Sequence, residues 1–385
     1  MNRRKSIVIT SVLTGLAVIC ALAGIALLIF IFLKGEINRF EPFELDENKA
    51  YDVLYISSYD PRYLITKNQL EGIEYSMQKK GIMYEVMYMD MLNYNTVENY
   101  ELFYQTVKHK ISMRPTNYKA VIVSDDAALT FIEQFHNELF KDVPVVFFGI
   151  NDIAHAKNAQ KNPWFTGFGE KNFVDETLEI IIEQNPNVKK VCCILDDSLT
   201  GRGDREQFLD AIKKYPNLTY EFITISRNSP EQIANRLSAI HTDSVVLCLS
   251  SLQSYAHRNS FSIYELIDFI SSYSRRIPVY RTNAVGIGNG FLGGKVYDHY
   301  AAACHAVEIV YEILEGKKQI FDFEYDDFAA GKCIFDYKLL KEFNLNPATL
   351  PSETIFFNKA ENILKKQKSL FIAVFFIILS LILML

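Results

Sequence analysis

The stretch AVIVSDDAALTFIEQFH, residues 120 to 136, followed by VPVVFFG at 143 to 149, sets the class of this chain. Ala120 to Ser124 is a short apolar run with β-branched side chains, which suits a strand covered on both faces. Asp126 to His136 then carries apolar residues at helical spacing, and Val143 to Phe148 is a second buried strand ending at Gly149. Strand, helix and strand in about thirty residues make a βαβ unit, which puts both strands in a parallel sheet.

The rhythm extends outward in both directions. Upstream lie strand Asp52 to Ser57, helix Thr66 to Lys80 closed by Gly81, strand Met83 to Tyr88 and helix Val97 to Ile111. Downstream come helix Phe173 to Gln184, strand Lys189 to Leu195, helix Asp204 to Lys214, strand Thr219 to Ile225 and helix Pro230 to Ile240. Strand Ser244 to Leu249, helix Phe261 to Ser274 and strand Pro278 to Tyr280 complete the second series. Alternation of this kind predicts an α/β fold of two Rossmann-like lobes with parallel sheets. The segment from Asn151 to Gly167, with Pro163, reads as a crossover between lobes. The glycine-rich Arg281 to Gly294 reads as a hinge that leads into helix His299 to Glu315. The expected division is therefore 51–150 with about 281–316 in lobe 1, and 151–280 with about 317–345 in lobe 2.

Two apolar runs bracket these lobes. Ile7 to Leu33 contains no charged residue and would be roughly 40 Å long as a helix, enough to cross a hydrocarbon core. Arg3, Arg4 and Lys5 precede it and place the N-terminus in the cytoplasm, with everything from about Gly35 onward outside. Residues 1–34 are thus expected to form a cytoplasmic tip and a transmembrane helix; the alternative is a cleaved signal peptide. Residues 346–369 form a juxtamembrane segment, and 370–385 a second, interrupted transmembrane helix or an apolar tail resting on the bilayer. The flanking helices make the membrane a partner and the cell membrane the location, with the main domain extracytoplasmic.

Composition suits an ordered globular domain: 49% hydrophobic and 22% charged residues. A net charge of −6 argues against a nucleic-acid partner, which demands a basic surface. Cys192, Cys193, Cys248, Cys304 and Cys333 lack the paired spacing of a zinc site. The first three lie inside strand-like runs and read as small buried hydrophobes.

The residues also resemble a known family. YISSYDPRY (55–63), VIVSDDAAL (121–129), VPVVFFGIND (143–152), TGFGE (166–170), ILDDSLTG (194–201), IPVY (277–280) and GFLGGKVYDHY (290–300) occur in the order found in substrate-binding proteins of ABC transporters. These have the type I periplasmic-binding fold. The chain is most similar to the branch related to aromatic amino acid binders, which also serves as an extracytoplasmic sensor domain in bacterial histidine kinases and diguanylate cyclases. The resemblance implies a cleft between lobes that closes on a small, amino-acid-like molecule.

The position of that cleft also follows from the sheets, because ligands collect beyond the carboxyl ends of parallel strands. The strand ends offer Ser57, Ser58 and Tyr59, then Ser124 and Asp125, then Asn151. In lobe 2 they offer Asp197, Ser198 and Thr200, then Ser250, then Tyr280 and Arg281. Hydroxyls and amides there bind polar groups, Asp125 or Asp197 pairs with an amine, Tyr59 or Tyr280 stacks on an apolar body, and Arg281 grips an anion. Competing structural roles exist: Asp126 and Ser198 as helix N-caps, Asp196 and Asp197 as a solvated turn, and Arg281 in an inter-lobe salt bridge.

Catalytic and cofactor signals are weak. Gly288, Gly290 and Gly293 have dinucleotide-loop spacing but do not follow the first strand of a βαβ unit. No G-x-S-x-G, H-E-x-x-H or P-loop occurs, and His299 and His305 are six residues apart, off the i, i+4 spacing of a helical metal pair. Neither cofactor nor metal is expected. The reading is a membrane-anchored extracytoplasmic small-molecule sensor, with homodimerisation open. The alternative is a tethered substrate-binding component of an ABC transporter. An enzyme comes third.

Overall fold

Side chains alternate between the two faces of a strand, and in the central strands of this protein both faces are covered. In the computed structural model, Val53 and Tyr55 of β1 (Val53–Ser57) enter one apolar cluster while Leu54 and Ile56 enter another. The structure describes residues 22–25, 51–114, 117–197, 199–249, 261–325, 328 and 330–360. It divides into residues 1–49 and 50–385. In the first unit, residues 22–25 are helical and exposed.

In the second unit, β1 is followed by α1 (Leu64–Lys80), β2 (Tyr84–Tyr88), α2 (Val97–Ser112), β3 (Ala120–Ser124), α3 (Asp125–Leu139), β4 (Val145–Ile150), α4 (Ile153–Ala159) and β5 (Phe165–Gly169). These strands form a parallel sheet in the order β2-β1-β3-β4-β5. Helix α1 ends at Gly81, whose φ of 68° is the left-handed C-cap that glycine accepts without steric cost.

The second sheet takes α5 (Val174–Gln184), β6 (Lys190–Leu195), α6 (Leu199–Ile212), β7 (Thr219–Thr224), α7 (Pro230–Ser238), β8 (Ser244–Cys248), α8 (Ile263–Tyr273), β9 (Val279–Arg281) and β10 (Gly293–Tyr297). Helix α9 (His299–Leu314), β11 (Gly331–Asp336), α10 (Tyr337–Glu342) and β12 (Ile355–Phe357) close the unit. The sheet order is β12-β11-β10-β9-β8-β6-β7, with β11 antiparallel to β10 and parallel to β12. Cys192 and Cys193 point to opposite faces of β6 and both are fully buried, as apolar side chains would be.

Three boundaries differ from the sequence expectation. The segment 151–169 supplies α4 and β5 to the first sheet, so the first crossover falls at residues 170–173. The glycine-rich segment after Arg281 is a loop within lobe 2, because β9 and β10 pair in one sheet. Its glycines pack on that lobe: a Cβ at Gly290 would meet Ser271, and one at Gly288 would meet Phe357. It is neither a hinge nor a dinucleotide loop. The second crossover is Asp298, after which α9 packs on α1 in lobe 1, where Gly72 lets the helices approach. Residues 317–325 also lie against lobe 1, with Gln160 Nε2 donating to the Phe323 carbonyl at 2.8 Å. The chain therefore returns to lobe 2 only just before β11.

No helix among the described residues is long and apolar enough to cross a membrane. The run 7–33, apart from 22–25, and the run 370–385 lie outside the described residues.

Candidate functional site

The carboxyl ends of β1, β3, β4 and β5 present one connected polar system. Ser124 ends β3, and its hydroxyl meets Tyr55 Oη at 2.9 Å and donates to Gln69 Oε1 at 3.3 Å. The Gln69 amide in turn donates to both oxygens of Asp125, at 3.3 and 3.4 Å. Ser58 donates to the Ser124 carbonyl at 2.7 Å and accepts from the Ala128 amide at 2.8 Å, tying β1 to the first turn of α3. Ser57 bonds within its own turn, to the Tyr59 backbone.

Asp125 holds φ at 66°, unusual for a residue with a side chain. Its neighbour Gly149 has φ at 69°, and a Cβ there would press on Gln69 and Asp125. Asp125 is 2% exposed; burial first, then the charge of Asp126, pushes its carboxyl up to about 8 against the hydrogen bonds of Gln69 and Ser124. Asp126 accepts from the backbone amides of Asn151 and Asp152 and from the Asn151 side chain. It is a brace for the β4–α4 turn, and Ser124 holds the N-cap position.

Residues that strand ends did not announce complete the site. Glu170 follows β5, and its carboxyl is pushed up by burial and then by the charges of Asp125, Asp204 and Asp126. Its Oε1 lies 3.9 Å from His299 Nε2. Burial pushes His299 down to about 4, with Asp298 opposing and Lys332 assisting, so the ring is neutral at ordinary pH. The rings of Tyr59 and Tyr63 meet edge to face at 5.7 Å. Burial raises both phenols, and the charges of Asp125 and Glu170 raise them further.

Lobe 2 contributes Arg281 and Asp204. Arg281 is fully buried, with Phe291 at 5.4 Å beneath its guanidinium and Cys248 Sγ 3.8 Å from Nη1. Its charge opposes the upward shift of the Tyr63 phenol in lobe 1. Asp204, 6% exposed, accepts from Asn172 at 2.5 Å. Burial pushes its carboxyl up to about 7; Asn172 and Arg281 oppose that, and Asp196 adds to it.

Ser57, Ser58, Tyr59, Ser124 and Asp125 thus stand together at the carboxyl ends of β1 and β3 in lobe 1, and Arg281 ends β9 in lobe 2. Asn151 is exposed and held by Asp126 at the rim. Two assignments are corrected. Tyr280 is fully buried in the lobe 2 core against Phe335, with its hydroxyl accepting from Asn185 at 2.7 Å, so it stacks on no ligand. Asp197 is bound by Arg227 at 2.7 Å and Ser226 at 2.9 Å in a surface turn, so its charge is already answered. Ser198 and Ser250 lie outside the described residues, as does the side chain of Thr200. A separate groove of about 620 Å³, lined by Leu209, Tyr215, Leu218 and Tyr220 among others, shares no residue with this cleft. Among the described residues no three His, Cys, Asp or Glu side chains could hold a metal ion.

A family profile described as ABC transporter substrate binding protein matches residues 67–349. Among solved structures, the chain is similar to an ABC domain from Streptococcus pneumonia in complex with L-Trp, at 16% identity and a TM-score of 0.57, covering 79% of this chain and 99% of that one. It is similar to CD0873 of Clostridium difficile, a substrate-binding protein with adhesive properties in a ligand-free, open structure, at 13% identity and a TM-score of 0.60, covering 81% and 100%. A conserved domain protein from Vibrio cholerae aligns at 15% identity with a TM-score of 0.57, covering 80% and 100%. No curated protein matches the sequence.

Proposed function

Because this chain belongs to the ABC transporter substrate-binding protein family, we propose that it is a membrane-anchored receptor whose two lobes close on a small solute outside the cytoplasm. The observation that carries this reading is the placing of the two ends of the described unit. The chain enters through β1 in lobe 1 and leaves through β12 in lobe 2. Asn358, just past β12, is fixed to lobe 2 by its amide, which donates to the Gly288 carbonyl at 2.8 Å and to Asp336 at 2.7 Å. Closing the cleft therefore changes the separation of the two tethers. A solute that binds the closed state more tightly shifts that equilibrium by its difference in affinity.

The apolar runs 7–33 and 370–385 are the membrane anchors in this reading. The family description favours a second one, a tethered component that delivers solute to a transporter and needs a single anchor. Topology separates them. Lys119 is exposed, and in intact cells a Lys119→Cys variant should react with a membrane-impermeant maleimide. A cysteine appended after Leu385 should react only after permeabilisation. Labelling of that appended cysteine from outside overturns the receptor reading and leaves delivery standing; a protected Lys119→Cys site overturns both.

A further inference from the structure

The chain leaves lobe 2 through a strand end that is apolar and exposed. β11 starts at Gly331, where the chain re-enters lobe 2, and β12 runs parallel to it, so β12 ends on the far side of that lobe from the crossovers. Phe357 pairs there with Asp336, and Ile355 and Phe357, on one face of the strand, are each 43% exposed. β12 is the edge of its sheet, a place that proteins usually blunt with charge rather than leave apolar. On the other face, Phe356 meets Tyr337 edge to face at 5.5 Å. Lys359 Nζ stands 4.9 Å from the Phe356 ring and 5.2 Å from the Tyr337 ring, and Lys341 Nζ stands 5.5 Å from the latter. Aromatic rings flanked by lysines settle at a membrane–water interface, with the rings at the acyl boundary and the charges among the headgroups.

Charge and chain length point to the same partner. The whole chain carries a net charge of −6, yet Lys338, Lys341 and Lys359 outnumber Glu342 and Glu353 over residues 337–360, and Lys365, Lys366 and Lys368 stand against Glu361 alone over 361–369. Each lysine near an anionic leaflet adds to an attraction that fades within a Debye length. Phe357 is 13 residues from Leu370, where the apolar run begins, so even full extension leaves at most about 45 Å between them. A leash that short keeps the strand end at high effective concentration over a bilayer that holds the run, and a weak surface then suffices. Two side chains of this exposure fall far short of the roughly 800 Å² per partner that a stable protein pair buries, which disfavours a second copy as the occupant. We propose that the far end of lobe 2, through Ile355, Phe356 and Phe357 with Lys341 and Lys359, docks on the outer face of the bilayer against anionic lipid headgroups. This rests on the receptor reading above, in which 370–385 is an anchor, and names the surface by which lobe 2 meets the lipid.

The test is quenching of tryptophan fluorescence by brominated acyl chains, with the full chain in nanodiscs and Trp164→Phe as the background, since Trp164 is the chain's single tryptophan. Phe357→Trp should lose at least half of its emission in brominated phosphatidylglycerol discs relative to unbrominated ones. That quenching should fall at least twofold when Lys341→Glu and Lys359→Glu are added, and at least twofold in brominated phosphatidylcholine discs. Tyr264→Trp serves as the contrast: Tyr264 is 61% exposed at the start of α8, at the crossover end of the lobe, and should not be quenched. If Phe357→Trp fails to fold, Ile355→Trp takes its place with the same result expected. An unquenched strand end, quenching indifferent to lipid charge, or equal quenching at Tyr264→Trp overturns the docking surface. Phe375→Trp, inside the apolar run, reports the anchor separately. Quenching there without quenching at Phe357→Trp removes the surface and leaves the receptor reading standing, whereas no quenching at Phe375→Trp removes both.

Discussion

Glu170 and His299 stand on two different crossovers between the lobes, with Oε1 3.9 Å from Nε2. The polypeptide passes between lobes just beyond Glu170 and again at Asp298, and the Asp298 amide is bonded to Ala330 on the third crossing. Glu170 and His299 therefore stand beside segments that join the two lobes.

The first consequence is a pH dependence of stability. Asp125 at about 8, Asp204 at about 7 and Glu170, shifted the same way, hold protons in the folded state that the unfolded chain releases. Their stabilising contribution is complete below the unfolded carboxylate range and is lost as pH rises through the folded values. Each such proton gives a slope of about 1.4 kcal/mol per pH unit. His299 has the opposite sign, because its folded value of about 4 lies below the unfolded one, so its contribution is lost as pH falls from about 6.5 toward 4. Unliganded Tm should rise as pH is lowered from 8.5 toward 5, with His299 offsetting part of the gain below about 6.5. Asp125→Asn should flatten the upper limb; an unchanged slope in that variant refutes the assignment.

Ser58 makes a different kind of contribution. Its hydroxyl is buried and joins the Ser124 carbonyl to the Ala128 amide. Ser58→Ala leaves both backbone groups short of a partner, which should lower stability by about 1–3 kcal/mol. Denaturant unfolding measures this, and a midpoint equal to that of the parent protein would show that the bridge contributes nothing.

The sequence reading was reliable where burial alone decides the pattern. AVIVS at 120–124 is apolar throughout because helices cover both faces of β3. FTGFG at 165–169 lacks that signature, yet it is the edge strand β5: a Cβ at Gly167 would overlap the Phe147 carbonyl, so close strand approach excludes a side chain. Missing β5 hid Glu170, which occupies the strand-end position that the ligand rule singles out. The two tyrosine assignments diverged for a related reason. Tyr59 follows β1 beyond the sheet edge, whereas Tyr280 sits within β9 opposite Leu247 and shares its inward face. His299 was visible only as a helical residue, because nothing in the sequence brings the start of α9 beside the end of β5.

Tyr280 and Asp197 provide controls for the site. Tyr280→Phe removes the hydroxyl that accepts from Asn185 and should cost about 1 kcal/mol of stability with no change in solute affinity. Asp197→Ala breaks the exposed pair with Arg227 and should change neither affinity nor Tm appreciably, since screened surface pairs contribute little. Titration of a solute identified by thermal-shift screening checks both, and a tenfold loss of affinity in either variant would return that residue to the cleft.

Arg281 and Asp204 provide the sharpest test of the cleft's electrostatics. Arg281 is fully buried, and its charge holds the Asp204 carboxyl below where burial alone would put it. Removing the buried guanidinium takes away its packing on Phe291 and Cys248 as well as its charge, and a coupling to Asp204 adds to that loss only if the carboxyl depends on the cation. Arg281→Met should therefore be strongly destabilised, and Asp204→Asn should recover part of the loss when added to it, although it removes yet another charged group. A double-mutant cycle by denaturant unfolding reads the coupling directly. Additive losses would mean that the guanidinium acts through Phe291 and Cys248 packing rather than through the carboxylate.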